Sequence, residues 1–245
     1  MNTIEHIKDE LLSQAAHDKI VDITIGRIYV AVTLKSGNIG VAHLEGGRDT
    51  NRTYSPSGSP KNPGDLPEVL SRLGGTEHFA SALGCAAASA LAVANKGALP
   101  EGDVLDRLAV SPGERVVMVG AFPIDTGLRK QGADLSIYDR AQGIGNADEL
   151  PASLTDADLV IITATAVINN TIDHILEHIR RARETVILGP STILVPEAFR
   201  KTPVTWLFGI VPRDVSAIRE IITKGGGTRD FIRYAKKVEA AVPKR

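Results

Sequence analysis

The chain predicts an α/β protein in two units, a small α+β unit over residues 1–98 and a mostly parallel sheet with helices on both faces over 99–245. Three observations carry this. Five short apolar runs in the second half, RVVMVG, DLSIYD, DLVIITAT, TVILG and VTWLFGI, alternate with helical stretches, the pattern of strands buried on both faces and joined by crossover helices. The first half instead opens on a helix and follows it with β-rich segments joined through Ser36-Gly37-Asn38, a hairpin signal. A length of 245 residues with 43% apolar and 23% charged side chains supports a buried core and excludes disorder, collagen and coiled coil.

Taken in order, residues 3–17 place Ile4, Ile7, Leu11 and Leu12 at helical spacing, with His6 and His17 on the opposite, solvated face. VDITIGRIYVAVTL and IGVAHL follow as the strands of the hairpin sheet. Residues 45–75 are rich in glycine, proline and serine (Pro56, Pro60, Pro63, Pro67), and only LPEVLSRL can form a short helix. A connection this long in a small domain reads as a lid or binding loop. Thr76 to Asn95 is a helix dense in small residues (Gly84, Ala86, Ala87, Ala88, Ala90) that lets another backbone approach closely, and Cys85 within it reads as a small buried apolar residue. VLDRLAV, between the loop signals LPEGD and SPG, marks the start of the second unit.

In that unit the helix from Asn170 turns Ile172, Ile175, Leu176 and Ile179 inward, and the one after Asp214 turns Val215, Ile218, Ile221 and Ile222 inward, with Asp214 as N-cap and Gly225 as C-cap. The stretch from Lys224 to Arg245 runs net positive and reads as a solvated terminal helix.

Lysine and arginine total 28 against 29 acids, a net charge of -1, so no chain-wide field would hold nucleic acid or an anionic membrane. One cysteine excludes an internal disulfide and any cysteine-built zinc or iron–sulfur centre. No apolar run reaches the roughly 18 residues of a membrane span, and MNTIEHIKDELL is amphipathic rather than a signal peptide. A cytoplasmic protein is expected, and the small-residue helix suggests a homodimer.

Ligands of open parallel sheets bind outside the carboxyl ends of the strands, which selects four loops. The first is Gly120-Ala121-Phe122-Pro123. The second, Asp139-Arg140, lies 19 residues after Gly120, the spacing at which an acid meets a ribose. The full G-x-G-x-x-G is absent and Pro123 removes an amide donor, so a dinucleotide fits poorly and an adenosyl ligand such as S-adenosylmethionine fits better. That is the enzyme alternative, a transferase or lyase, to set against Asp139 simply capping a turn. The third loop, Thr163-Ala164-Thr165-Ala166 running into Asn169 and Asn170, gathers hydroxyls and amides at a strand-to-helix junction able to orient an anion. The fourth, Gly189-Pro190-Ser191-Thr192, couples a permissive glycine to two hydroxyl donors. No nucleophile–base pair, G-x-S-x-G or P-loop occurs, so no catalytic residue is named.

The string DLVIITATAVINNTIDHILEHIRRARETVILGPSTILVPEAF, with VVMVGAFP before it and ITKGGGTRDF after it, resembles a bacterial and archaeal family described as heavy-metal chelation proteins. The resemblance runs through most of Gly113 to Phe231 and more weakly through GRIYVAVTL and the alanine-rich helix. It implies an enolase-N-terminal-like module followed by a Rossmann-like module, with the active site in the cleft between them. The four strand-end loops make Gly120, Phe122, Pro123, Asp139, Thr165, Asn169, Gly189, Pro190, Ser191 and Thr192 the expected ligand-binding set. The chain departs from the family at Asp139 (glutamate expected), Ala164 (glycine), Ile193 (proline) and Ser89 (asparagine).

Chelation by side chains alone finds little support in the composition. The six histidines are scattered; His174 and His178 share a helical face, but it points away from the apolar stripe and reads as solvated. Glu77 and His78, at the start of the alanine-rich helix, are the better-placed metal candidates. Oxygen donors from Glu77, Asp139 and Thr165 suit a hard cation or a metal already held by a small molecule. The expected partner is therefore a polar, anionic small molecule or its metal complex, with a metal ion or S-adenosylmethionine as the candidate cofactor.

Overall fold

The computed structural model describes residues 2–44, 65–94 and 99–243. Residues 45–64 of the expected binding loop, the boundary expected at 98, and Lys244 and Arg245 lie outside these described residues.

Helix α1 (Thr3–Ala15) is capped by Asn2, whose side chain accepts the Glu5 amide at 3.3 Å. It buries Ile4, Ile7 and Leu11, while Leu12, assigned to the same stripe, is 52% exposed. Strands β1 (Ile20–Ile25), β2 (Tyr29–Leu34) and β3 (Ile39–His43) form an antiparallel sheet in chain order, β2 and β3 turning through Gly37 at φ +89°. Helix α2 (Leu66–Ser71) packs on α1 and on α3 (His78–Ala94), and α3 packs on the sheet.

The composition of α3 follows from this packing. Every residue from Ser81 to Ala92 is buried, and the glycines stand where backbones touch. A Cβ on Gly40 of β3 would collide with the Ala86 carbonyl and the Ala90 amide, and one on Gly84 would sit 2.6 Å from the Leu73 amide.

The second unit contains α4 (Val104–Leu108), β4 (Arg115–Val119), α5 (Asp125–Lys130), β5 (Asp134–Tyr138), α6 (Leu150–Asp156), β6 (Leu159–Thr163), α7 (Thr165–Ile168), α8 (Ile172–Glu177), β7 (Glu184–Leu188), β8 (Trp206–Pro212), α9 (Val215–Thr223), α10 (Thr228–Phe231) and β9 (Ala235–Ala241). Its six-stranded sheet runs β5-β4-β6-β7-β8-β9, parallel throughout except for β9 against β8. Alternate residues feed two cores: Val116, Met118, Leu159 and Ile161 meet Val104, Leu108 and Leu128 on one face, and Val117, Val160 and Ile162 meet Leu154, Val167 and Ile172 on the other.

The five parallel strands follow the doubly wound order 2-1-3-4-5, the open, mostly parallel α/β sheet that the sequence predicts. One expectation is corrected here. The basic C-terminal stretch is not a solvated helix: after one short turn of α10 it becomes the edge strand β9. There Glu239 is buried and paired with Arg107, whose guanidinium lies 4.3 Å over the Trp206 ring.

The two units share their packing. One continuous core joins α1, α2 and α3 to α6, α7, α8 and residues 193–199. The opposite face of the antiparallel sheet, through Tyr29, Ala31, Ile39 and Val41, packs on Ile210, Ile218, Ile222 and Phe231. The small sheet is thus clamped between α3 and the α9–α10 pair. Asp214 caps α9 through the Ala217 amide at 2.9 Å, and Gly225 ends it at φ +77°, as the sequence predicts. No described helix is long and apolar enough to cross a membrane.

Candidate functional site

The strand order turns outward in both directions from β4 and β6, so the topological switch point lies between their carboxyl ends. Helices leaving neighbouring strands there go to opposite faces and leave a crevice, where ligands of doubly wound sheets bind. Gly120 ends β4 at φ +94°, and a Cβ on it would sit 2.7 Å from the Thr163 Cβ at the end of β6. Only glycine permits both the left-handed backbone and this approach. Thr163 and Thr165 share a hydroxyl hydrogen bond of 3.0 Å.

The loops after β4 and β7 meet at the same point. A Cβ on Gly189, whose φ is +134°, would lie 3.9 Å from both the Phe122 ring and the Ala164 Cβ. Phe122, Thr163, Thr165, Gly189 and Pro190 are all partly exposed. The structure therefore gathers Gly120, Phe122, Thr165, Gly189 and Pro190 at one sheet edge, while Pro123 is exposed at the rim.

Asp139 reaches the same edge, but as a brace. Its carboxylate accepts the Ala121 amide at 2.8 Å, the Gln142 amide at 3.0 Å and the Gln142 side-chain amide at 3.0 Å. A ribose would have to displace Gln142, so the adenosyl reading loses its anchor and the turn-capping reading gains it.

Asn169 does not open a helix. One-turn α7 intervenes, Asn169 ends it, and Asn170 takes φ +55°. The Asn169 Oδ1 is buried without a hydrogen-bond partner. It stands beside the first turn of α3, where the Ser81 hydroxyl donates to the Ile168 carbonyl at 2.6 Å.

Ser191 and Thr192 lie deeper than the sequence suggests, each only 3% exposed. The Ser191 hydroxyl accepts the His43 amide at 3.0 Å, its carbonyl accepts the Cys85 thiol at 3.4 Å, and Thr192 packs over Gly209 with its hydroxyl unpartnered. The GPST loop thus stitches the small sheet and α3 to the large sheet. Full burial pushes the Cys85 thiol up to about 12, which keeps it protonated and unreactive.

Of the metal candidates, Glu77 caps α3 by accepting the Phe79 and Ala80 amides at 3.1 and 2.6 Å. His178 binds the His174 carbonyl through Nδ1 at 2.8 Å, the rings edge to face at 4.8 Å. Among the described residues no group of three or more His, Cys, Asp or Glu side chains is arranged to hold a metal ion.

Sequence reasoning passed over a trio at the seam. His43, the last residue of β3, pairs in register with Tyr29, their rings edge to face at 5.5 Å. The Tyr29 hydroxyl is 2.7 Å from that of Thr228, and burial pushes the phenol above its ordinary value against the lowering effect of that bond. A signal was present: GRIYVAVTL and ITKGGGTRDF both belong to the stretches that carry the family resemblance, and a histidine closes the strand that enters the long loop.

Comparison with known proteins bears on these elements. A family described as "Putative heavy-metal chelation" (DUF364) matches residues 103–241, more than half the chain, and a second with the same description (DUF4213) matches 8–92. The chain belongs to the DUF364 family. Two solved structures share its fold, both titled as DUF364 proteins of unknown function. The one from Pyrococcus horikoshii is 22% identical, with a TM-score of 0.82 over 98% of this chain and 100% of its own. The one from Desulfitobacterium hafniense is 19% identical, with a TM-score of 0.79 over 97% of each chain. No curated protein matches. At these identities the likeness extends to the fold; within the DUF364 segment of this chain lie Gly120, Phe122, Thr165, Asn169 and the GPST loop.

Proposed function

We propose that this protein binds a small polar or anionic molecule, or a metal ion already held by one, in the crevice at the carboxyl ends of β4 and β6. The observation that carries the reading is the coincidence of the switch point with two glycines of positive φ, Gly120 against Thr163 and Gly189 against the partly exposed Phe122 ring. The glycines let a ligand approach main chain, Phe122 covers an apolar or planar face, and the threonine hydroxyls and the unpartnered Asn169 oxygen orient polar groups. Asp139 and Ser191 act one step removed, holding the loops in register. The absence of a three-ligand cluster among the described residues favours a metal complex over a bare heavy-metal ion.

Native mass spectrometry of the purified protein, followed by equilibrium dialysis against a panel of metals and metabolites, tests this. A bound species weakened about tenfold or more by Phe122→Ala and by Asn169→Ala, with unchanged circular dichroism, supports the site. A bound species indifferent to both variants refutes it. Calorimetry with S-adenosylmethionine tests the transferase or lyase alternative.

A further inference from the structure

We propose that His174 and His178 form a surface site for a borderline transition-metal ion, copper(II), nickel(II) or zinc(II), apart from the crevice. Of the six histidines these alone lie within four residues of each other. The spacing puts both on one face at the end of α8, and their ring centroids stand 4.8 Å apart with the planes at 76°. Two imidazoles bound to one ion at about 2.0–2.1 Å, with an angle of about 90–109° at the metal, have centroids about 4.5–5.2 Å apart. The pair thus already stands at the separation that a bound ion imposes.

The hydrogen bonding leaves the lone pairs to a ligand. The His178 Nδ1 lies 2.8 Å from the His174 carbonyl. A carbonyl only accepts, so Nδ1 carries the proton and donates, and the Nε2 of the neutral ring keeps its lone pair. A backbone carbonyl holding one ring nitrogen in this way is what orients histidines at metal sites. Among the described residues neither ring has another hydrogen-bond partner. His174 is exposed and His178 half-buried, so an ion can reach both. The backbone beneath them is fixed: Ile172, Ile175, Leu176 and Ile179 are buried on the opposite face, and the His178 carbonyl lies 3.2 Å from the Thr155 hydroxyl.

The donor inventory sets the chemical class. Asp173, the acid beside His174, is committed to the Thr3 amide and hydroxyl, and among the described residues no third His, Cys, Asp or Glu completes a cluster. The protein therefore supplies two nitrogens, and waters or the donors of a small chelate fill the other positions. Imidazole suits copper, nickel and zinc, and copper(II) binds it tightest of the three. Binding is a ligand substitution: two nitrogen lone pairs displace two metal-bound waters, and the oxidation state does not change. Thr155 stands at the end of α6, which leads into β6, and Arg181 pairs with Asp158 just ahead of β6 at 2.9 Å. The pair thus lies toward the amino end of β6, whereas the crevice lies at its carboxyl end, and the assignment does not rest on the reading above.

The test titrates the full chain with copper(II), with glycine as a weak competitor. The expected result is one tightly bound copper per chain whose electron paramagnetic resonance spectrum shows two imidazole nitrogens. His174→Gln and His178→Gln should each lower the affinity tenfold or more and abolish the two-nitrogen pattern. Copper should raise the Tm of the parent but not of either variant, since only the folded helix holds the two rings together. His17→Gln, beyond the end of α1, should leave affinity and spectrum as they are. Copper affinity and spectrum unchanged in the double variant His174→Gln, His178→Gln overturn the assignment, as does a two-nitrogen spectrum that survives either single substitution. A native circular dichroism spectrum of the variants excludes misfolding as the cause.

Discussion

Replacing Ser81 with alanine tests the claim that the two units fold as one body. Its buried hydroxyl, at the end of the first turn of α3, accepts the Gly74 amide at 2.9 Å and donates to the Ile168 carbonyl at 2.6 Å, so it joins the α2–α3 turn, α3 and the end of α7. Alanine leaves both backbone groups without this partner, at a cost of about 1–3 kcal/mol for each buried group left unmade. A total near 3 kcal/mol follows. For a chain of this size each kcal/mol lowers Tm by about 2–4 °C, so Ser81→Ala should melt about 6–12 °C below the parent. The control is Ser71→Ala, whose hydroxyl bonds the Glu68 carbonyl at the surface and should shift Tm by less than about 2 °C. Differential scanning calorimetry reads both, and the shared core requires a single transition in each variant. A Tm for Ser81→Ala within 2 °C of the parent, or two separate transitions, would refute the reasoning.

Other consequences are as direct. Cys85 should resist a thiol reagent in the native protein at pH 8 and react fully in guanidinium. Because its folded pKa of about 12 stands above the usual thiol value near 8.5, the unfolded chain loses its proton first as pH rises. The stability associated with Cys85 is therefore whole below about pH 8.5 and declines toward pH 12, and Cys85→Ala should flatten that part of the stability profile. Gly40→Ala puts a methyl group into the backbone of α3 and should cost about 3 kcal/mol or more, read as loss of soluble protein or a lower denaturant midpoint. Asp139→Ala frees the Ala121 and Gln142 amides. It should speed hydrogen exchange at both by tenfold or more while Tm falls only slightly, since the turn is exposed.

The inner parallel strands were legible because burial on both faces leaves apolar runs, and all five parallel strands lie where the sequence placed them, including the edge strand β5, whose DLSIY alternates between buried and exposed positions. The failure at β9 has the opposite cause. In AKKVEAA the inward-facing position at Glu239 is an acid, tolerable only because Arg107, 132 residues away, reaches across to pair with it. No local pattern can reveal that partner. Strand order was hidden for a related reason: five alternating β and α runs are compatible with either doubly wound order, and the choice between them depends on which crossovers pack over which neighbours.

The site was half legible. Glycine loops at strand ends announce themselves, and Gly120, Phe122 and Gly189 converge as the rule for open sheets requires. A hydroxyl in a loop looks the same in sequence whether it faces a ligand or another domain, and Ser191 turned out to face His43. The same ambiguity governs Asp139, whose spacing from Gly120 suits a ribose and suits equally an acid that holds the two loops together. Burial separates only part of this: Ser191 and Thr192, which fasten the seam, are nearly inaccessible, whereas Phe122, Thr165 and Gly189 remain partly open; Asp139 is as open as they are and is told apart by its amide partners. By that criterion the family's description and the composition of this chain are compatible. A protein whose described residues offer no cluster of three or more metal-binding side chains can still handle a metal, provided the small molecule brings most of the ligands and the fold supplies the shape of the crevice.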